Sequence, residues 1–132
     1  MDIQEYYRHV TLLTAQLAPT FGKCGCVIVD DESKSIASTG YNFVKPGIPV
    51  MDDGSHICHA EESAINSCHF TRNGKYTLYV SLSPCMGCAK RIIDEPHIVK
   101  VCYGDVHPDP KYNCFDALIY MEKNGVKVQH WK

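Results

Sequence analysis

Long apolar runs are missing from this 132-residue chain: stretches such as Val27-Ile28-Val29 end after a few positions, whereas a helix that crosses a bilayer takes about 20. A membrane-spanning helix is therefore not expected. Missing too is a basic start followed by an apolar stretch and a small-residue cleavage site. Met1-Asp2-Ile3-Gln4-Glu5 opens the chain instead, which points to the cytoplasm, or to the host cytoplasm for a virus. There is no repeat, no low-complexity tract and no window combining low hydrophobicity with high net charge, so extended disorder is excluded. Clusters of one charge sign are scarce: 13 Lys and Arg against 15 Asp and Glu leave a formal charge of -2, with Lys90-Arg91 the densest basic pair. A polyanion surface needs grouped cations, so nucleic acid is not the expected partner.

Cysteine is what the chain has in excess: Cys24, Cys26, Cys58, Cys68, Cys85, Cys88, Cys102 and Cys114. Without a secretory start, such a count reads as metal binding or catalysis rather than as a disulfide framework. Cys26, Cys68, Cys102 and Cys114 lie in apolar patterns and read as core residues, since a buried thiol packs as a small hydrophobe.

The length predicts one domain over residues 1–132. Ile3, Tyr6, Tyr7, Val10, Leu13 and Leu17 recur at helical spacing, limited by Pro19, and predict an amphipathic first helix with these residues on one face. Strands over 24–29 and 35–41 flank a polar stretch as a hairpin, and 42–57, with Pro46, Gly47, Pro49 and Gly54, reads as a long loop. A helix over 59–68 precedes a strand over 76–81. A second helix starts at Pro84-Cys85 and stops before Pro96, and a strand over 98–103 follows. A helix from Cys114 to Met121 is closed by Asn124-Gly125, and 126–131 alternates as the last strand. Strands alternating with helices predict an α/β fold, one partly parallel five-stranded sheet covered by helices on its faces.

Three side chains suited to zinc stand out: His59, Cys85 and Cys88. By itself Cys85-x-x-Cys88 at a helix start also fits a redox pair. The combination His59-Ala60-Glu61 with Pro84-Cys85-Met86-Gly87-Cys88 is the pattern of a zinc deaminase. Three ligands leave a fourth position for water, as catalytic zinc requires, and zinc brings the pKa of that water from about 15.7 toward neutrality. Glu61 is placed to move protons; Glu62, in the same first turn, fits a helix-end acid. A closed four-ligand site completed by Cys58 is the competing reading, with Cys58 packed beneath the helix start otherwise. Of the other histidines, only His107 falls near the expected pocket.

These segments resemble the cytidine deaminase superfamily and, within it, the deoxycytidylate deaminases. Cys58-His59-Ala60-Glu61-Glu62-Ser63-Ala64-Ile65 is similar to a CHAE segment, Pro84 to Ile93 to P-C-x-x-C-A-K-x-I-I, and Gly40-Tyr41-Asn42 to the start of G-Y-N-G; Gly22 to Val29 resembles the first strand. The resemblance implies a three-layer α/β/α fold and one catalytic Zn2+ per chain on His59, Cys85 and Cys88, with Glu61 as proton shuttle. It further implies that the Ala60 N–H holds the pyrimidine O2, the Ser83 C=O orients the leaving amino group, Asn42 contacts sugar or phosphate, and Tyr112 lies against the base. Asn42 equally fits turn formation, and Tyr112 a helix-flanking core position. Lys23 is the candidate phosphate partner, standing where the family commonly has Arg. The implied reaction is hydrolysis of dCMP to dUMP and ammonia in a homo-oligomer, a dimer or hexamer, with dCTP and dTTP as effectors. Phe43 in place of the last Gly of G-Y-N-G departs from that pattern, and no accessory zinc site is expected in the compact 42–56 loop. The rival activities are tRNA or DNA editing, and deamination of free cytidine, cytosine or guanine.

Overall fold

The computed structural model describes residues 1–19, 22–51 and 54–132. Helix α1 spans Ile3–Ala15, started by the Asp2 carboxylate, which accepts the Glu5 N–H at 2.8 Å, an N-cap that satisfies one orphan donor. Its buried side is not the one that apolar spacing predicts. Tyr7, Thr11, Thr14 and Ala15 face the protein, while Ile3, Tyr6, Leu13 and Leu17 are exposed and Val10 is half-buried. Small residues win here because the helix lies directly on Gly25, where a Cβ would collide with Thr11 O and Ala15 N. The two threonines hide their polarity by donating to carbonyls one turn back, Tyr7 O and Val10 O, each at 2.7 Å.

Strands β1 (Gly25–Asp30) and β2 (Ile36–Tyr41) form the expected hairpin, and β5 (Tyr76–Leu82), β6 (Ile98–Asp105) and β7 (Lys127–His130) complete a five-stranded sheet ordered β2-β1-β5-β6-β7. β1 runs antiparallel to both neighbours, and β5, β6 and β7 are parallel. Helices α3 (Met86–Ile93) and α4 (Cys114–Lys123) supply the crossovers between the parallel strands, and α2 (Ala60–Asn66) precedes β5. The predicted loop 42–57 carries two further elements, β3 (Phe43–Val44) and β4 (Ile57–Cys58), which pair with each other. They are two residues each, below what alternation in the sequence can register.

The sheet separates two cores. Cys26, Ile28, Leu78, Val80 and Val101 pack with Ala60, Ala64, Ala89, Ile92 and Met121 on the side of α2, α3 and α4. Val27, Val29, Tyr79 and Cys102 pack with Tyr7 of α1 on the other. The three-layer α/β/α arrangement is thus present, with α1, among the described residues, the one helix on its face. Cys26, Cys102 and Cys114 are buried as predicted, but Cys68 is only half-buried. It falls just beyond the end of α2, which is shorter than the predicted helix. Among the described residues, no helix is long and apolar enough to cross a membrane.

At the edge of the first core, the His97 ring lies flat on Phe70 at 5.4 Å. Nδ1 is 2.7 Å from Glu95 Oε1 and Nε2 is 3.3 Å from Arg72 O, so both nitrogens face acceptors and only the imidazolium can donate to both. The Glu95 bond, followed by the Arg72 carbonyl, raises the His97 pKa above its ordinary 6.5. Because the folded value is the higher one, this group stabilises the fold below its ordinary pKa, and the contribution is lost as pH rises through the folded pKa. An NMR titration should place the His97 midpoint above 6.5, and Glu95→Gln should bring it down. An unmoved midpoint in Glu95→Gln would contradict this account.

Candidate active site

The site forms where two helices start beside the carboxyl end of β5, the end of parallel strands at which α/β proteins place ligands. His59 is the N-cap of α2 and Cys85 the N-cap of α3, and neither side chain caps its own helix. Both are therefore available to a ligand while the helix dipole favours negative charge nearby. Pro84, fully buried, leads the chain into α3. Cys88 follows one turn later on the same face, as its spacing predicts.

His59 Nδ1 lies 3.3 Å from Cys88 Sγ and 3.5 Å from Cys85 Sγ, and the three ligand atoms fall within 4.8 Å of one another. A tetrahedral zinc with ordinary Zn–S and Zn–N bonds sets N and S about 3.6 Å apart, so this triangle fits the ion. The two thiols shift in opposite directions. Cys85 is brought down to about 4, first by its hydrogen bond with Cys88 and then by His59, while Cys88 is pushed up by sharing that proton and by burial. Cys58 stands apart from the ligand group; its thiol faces the His59 carbonyl at 3.7 Å and the Glu62 side chain. The four-ligand arrangement with Cys58 is not formed.

Glu61 is 4% exposed, in the first turn of α2, and burial pushes its carboxyl up to about 7. It lines a cavity of about 130 Å3 together with His59, Ala60, Ser83, Cys85, Asn42, His107 and Tyr112. Ser83 is tied on three sides. Its N–H donates to Asp105 O at 2.7 Å, its Oγ accepts the His107 N–H at 3.2 Å, and its carbonyl accepts the Cys114 thiol at 3.5 Å. Tyr112 meets the His107 ring edge-on at 4.3 Å. It belongs to a short 3-10 turn, Pro110–Tyr112, and Asn113 next to it takes the left-handed conformation at φ 51°. Asn42 is buried at the cavity wall, and its Oδ1 accepts the Cys24 N–H at 2.8 Å while its Nδ2 donates to Gly22 O at 3.4 Å. The amide thus fastens the start of β1 from a distance of 18 and 20 positions along the chain.

Lys23 lies elsewhere. Its Nζ donates to Gln16 O at 3.3 Å, at the C-terminal end of α1, and it is not part of the cavity wall. Conversely, Cys24 and Cys114 line the cavity; the apolar pattern around Cys114 predicts only a core residue, and Cys24 carries no prediction. For Cys24 a signal existed: one residue before β1 and two before Cys26, it falls on the side of the sheet that Cys26 faces. Burial pushes its thiol up to about 12, so it is a neutral wall group.

With this geometry, comparison with known proteins is direct. Residues 1–105 match the profile of the cytidine and deoxycytidylate deaminase zinc-binding region. The chain belongs to that family. It is accordingly an enzyme, a zinc-dependent hydrolase. A tRNA-specific adenosine deaminase of Buchnera aphidicola is 31% identical over 134 residues, 94% of this chain and 82% of that protein. Human deoxycytidylate deaminase is 33% identical over 107 residues, 70% of this chain but only 60% of the human protein. In fold, the chain is similar to the dCMP deaminase of cyanophage S-TIM5, with a TM-score of 0.78 at 24% identity over 98% of this chain and 99% of that one.

Proposed function

We propose that this enzyme hydrolyses dCMP to dUMP and ammonia, with one zinc per chain on His59, Cys85 and Cys88. The observation that carries the reading is the buried Glu61 carboxyl in one small cavity with His59 and Cys85, two members of the three-ligand group that Cys88 completes. The ion, when bound, supplies an acidified water as nucleophile at neutral pH. Glu61 carries one proton from the nucleophile to the ring nitrogen and then a second, from the hydroxyl added at C4, to the departing amine, general acid–base work for which a pKa near the working pH is suited. The Ala60 N–H, in the first turn of α2 where helix donors lack intrahelical acceptors, holds the pyrimidine O2. The Ser83 carbonyl, fixed by its three bonds, receives the amino hydrogen and sets the face that is attacked. Water adds at C4 and nitrogen leaves, so one water is consumed for each ammonia released.

The substrate reading rests on the C-A-K-x-I-I and G-Y-N segments, on the human relative and on a sequence whose Lys and Arg are scattered, at a net charge of -2. Deamination of adenosine in tRNA is the second reading, favoured by the Buchnera relative that matches nearly the whole chain. Competition kinetics separate them. The kcat/KM for dCMP should exceed that for deoxycytidine, because remote phosphate binding positions the base, and a tRNA anticodon stem-loop should be inert. Formation of inosine within tRNA, with ammonia released and dCMP unreacted, would overturn the reading.

A further inference from the structure

A second cleft, of about 430 Å3, lies on the other side of the ligand residues and shares Ile57, His59 and Cys85 with the first. Among the described residues, its wall carries two cations, Lys45 and Arg91, together with Ser55, Gly87 and one acid, Glu62. Both cations are half-buried, and among the described residues no carboxylate lies within ion-pair distance of either. Lys111 and Lys132, by contrast, are paired with Asp109 and Asp105. Desolvating unpaired positive charge is costly, and a site that does so is prepared for an anion.

The cations are also held in place. The Lys45 N–H donates to His56 O at 2.8 Å, continuing the β3–β4 ladder, so its stem leaves from a fixed backbone. Arg91 Nη2 donates to Asn66 Oδ1 at 3.3 Å, which steadies the guanidinium and leaves the other edge of its donor fork. Gly87, with no side chain to obstruct approach, sits in the first turn of α3, whose N-cap side chain makes no capping bond. Glu62 faces the Cys58 thiol. Asp52 and Asp53 precede Gly54 of the wall and lie outside the described residues.

We propose that this cleft binds a phosphate group, with Lys45 and Arg91 as its charge partners. A planar guanidinium and a mobile ammonium together match a tetrahedral dianion, giving charge-assisted bonds from two directions. Two sources share this chemistry: the 5′-phosphate of the substrate, in which case the assignment rests on the dCMP reading above, or a separate phosphate-bearing molecule.

The test uses the zinc-loaded enzyme, with inorganic phosphate as probe and Lys45→Gln, Arg91→Gln and the double variant compared at matched melting temperature. Calorimetric or 31P NMR titration should show phosphate binding to the parent and at least about tenfold weaker binding to the double variant, as expected for losing two charge-assisted contacts. Equal phosphate affinity in parent and double variant, or no binding to the parent, overturns the site whatever the activity on dCMP. If the site holds, the ratio of kcat/KM for dCMP to that for deoxycytidine identifies the source. A drop of about tenfold or more in the variants assigns the cleft to the substrate's own phosphate, and an unchanged ratio with weakened phosphate binding assigns it to a separate ligand. A parent that deaminates deoxycytidine as well as dCMP refutes the monophosphate reading and leaves the titration to decide the cleft.

Discussion

Turnover of dCMP should fall at least about 100-fold in Glu61→Gln protein, with the zinc content unchanged at about one per chain. Gln matches Glu in shape and keeps an acceptor oxygen, but it cannot take up and release a proton. The ligand group consists of His59, Cys85 and Cys88 without Glu61, so removing the carboxylate leaves the ion its three protein bonds. The same measurements on Cys85→Ser should show the opposite division, with loss of metal accompanying loss of activity. Glu62, one residue on, is half-buried and turned toward Cys58. An acid in a helix's first turn contributes below about 1 kcal/mol through the dipole, so Glu62→Gln should cost far less turnover. Ammonia release and metal analysis on the three proteins decide the matter. Near-parental turnover in Glu61→Gln would remove the proton shuttle from the reaction, and loss of zinc from it would make Glu61 a structural support of the ligands.

The second large effect is expected far from any reacting atom. In Gly40→Ala, the new methyl would stand 2.5 Å from both Ala60 O and Ala64 N. Both are backbone atoms of α2, so no rotamer change relieves the overlap, and helix and strand must separate. Ser38 works against that separation, its hydroxyl donating to Ala64 O at 2.7 Å. Overpacking of this kind costs about 2 kcal/mol or more. Because the displaced turn carries His59, Ala60 and Glu61, activity should drop along with stability, by about tenfold or more, as small misplacements of reacting groups do. Denaturant melts and ammonia release measured together provide the check. Parental values of both would mean that β2 and α2 can part without cost.

The same close approach explains what could be read in the sequence and what could not. The chemistry was legible because His59, Glu61, Cys85 and Cys88 are rare side chains at fixed spacings, each at a helix start that Pro84 or the onset of helical periodicity marks. The sheet was legible where strands of β-branched residues alternate with helices. The buried face of α1 was not. Periodicity counts apolar residues, and there the closest packing is made by Thr11 and Ala15 against Gly25, with Thr14 also buried and the threonine hydroxyls turned inward to their own helix. The wall of the cavity was only partly legible, because Cys114 resembles a core thiol and Cys24 belongs to no motif until the fold brings β1 and the start of α4 to Ser81 and Ser83. In Gly40-Tyr41-Asn42 the glycine admits α2 and the asparagine fastens Gly22 and Cys24, so two thirds of that motif has a packing explanation.

The short β3–β4 ladder separates two tasks along the chain. Phe43 pairs with Cys58 and Val44 with Ile57, and the Lys45 N–H to His56 O bond closes the next rung. His59 is therefore anchored from its own strand, and the excursion between Lys45 and His56 hangs from a closed stem. Lengthening such an excursion adds only about 0.6 kcal/mol of closure entropy per doubling. The excursion can thus be extended or rewritten with the metal ligands kept in register, while Lys45 and Ser55 at its two ends change what the neighbouring cleft accepts. In this chain the segment open to innovation and the segment that must stay fixed meet at a ladder two residue pairs long.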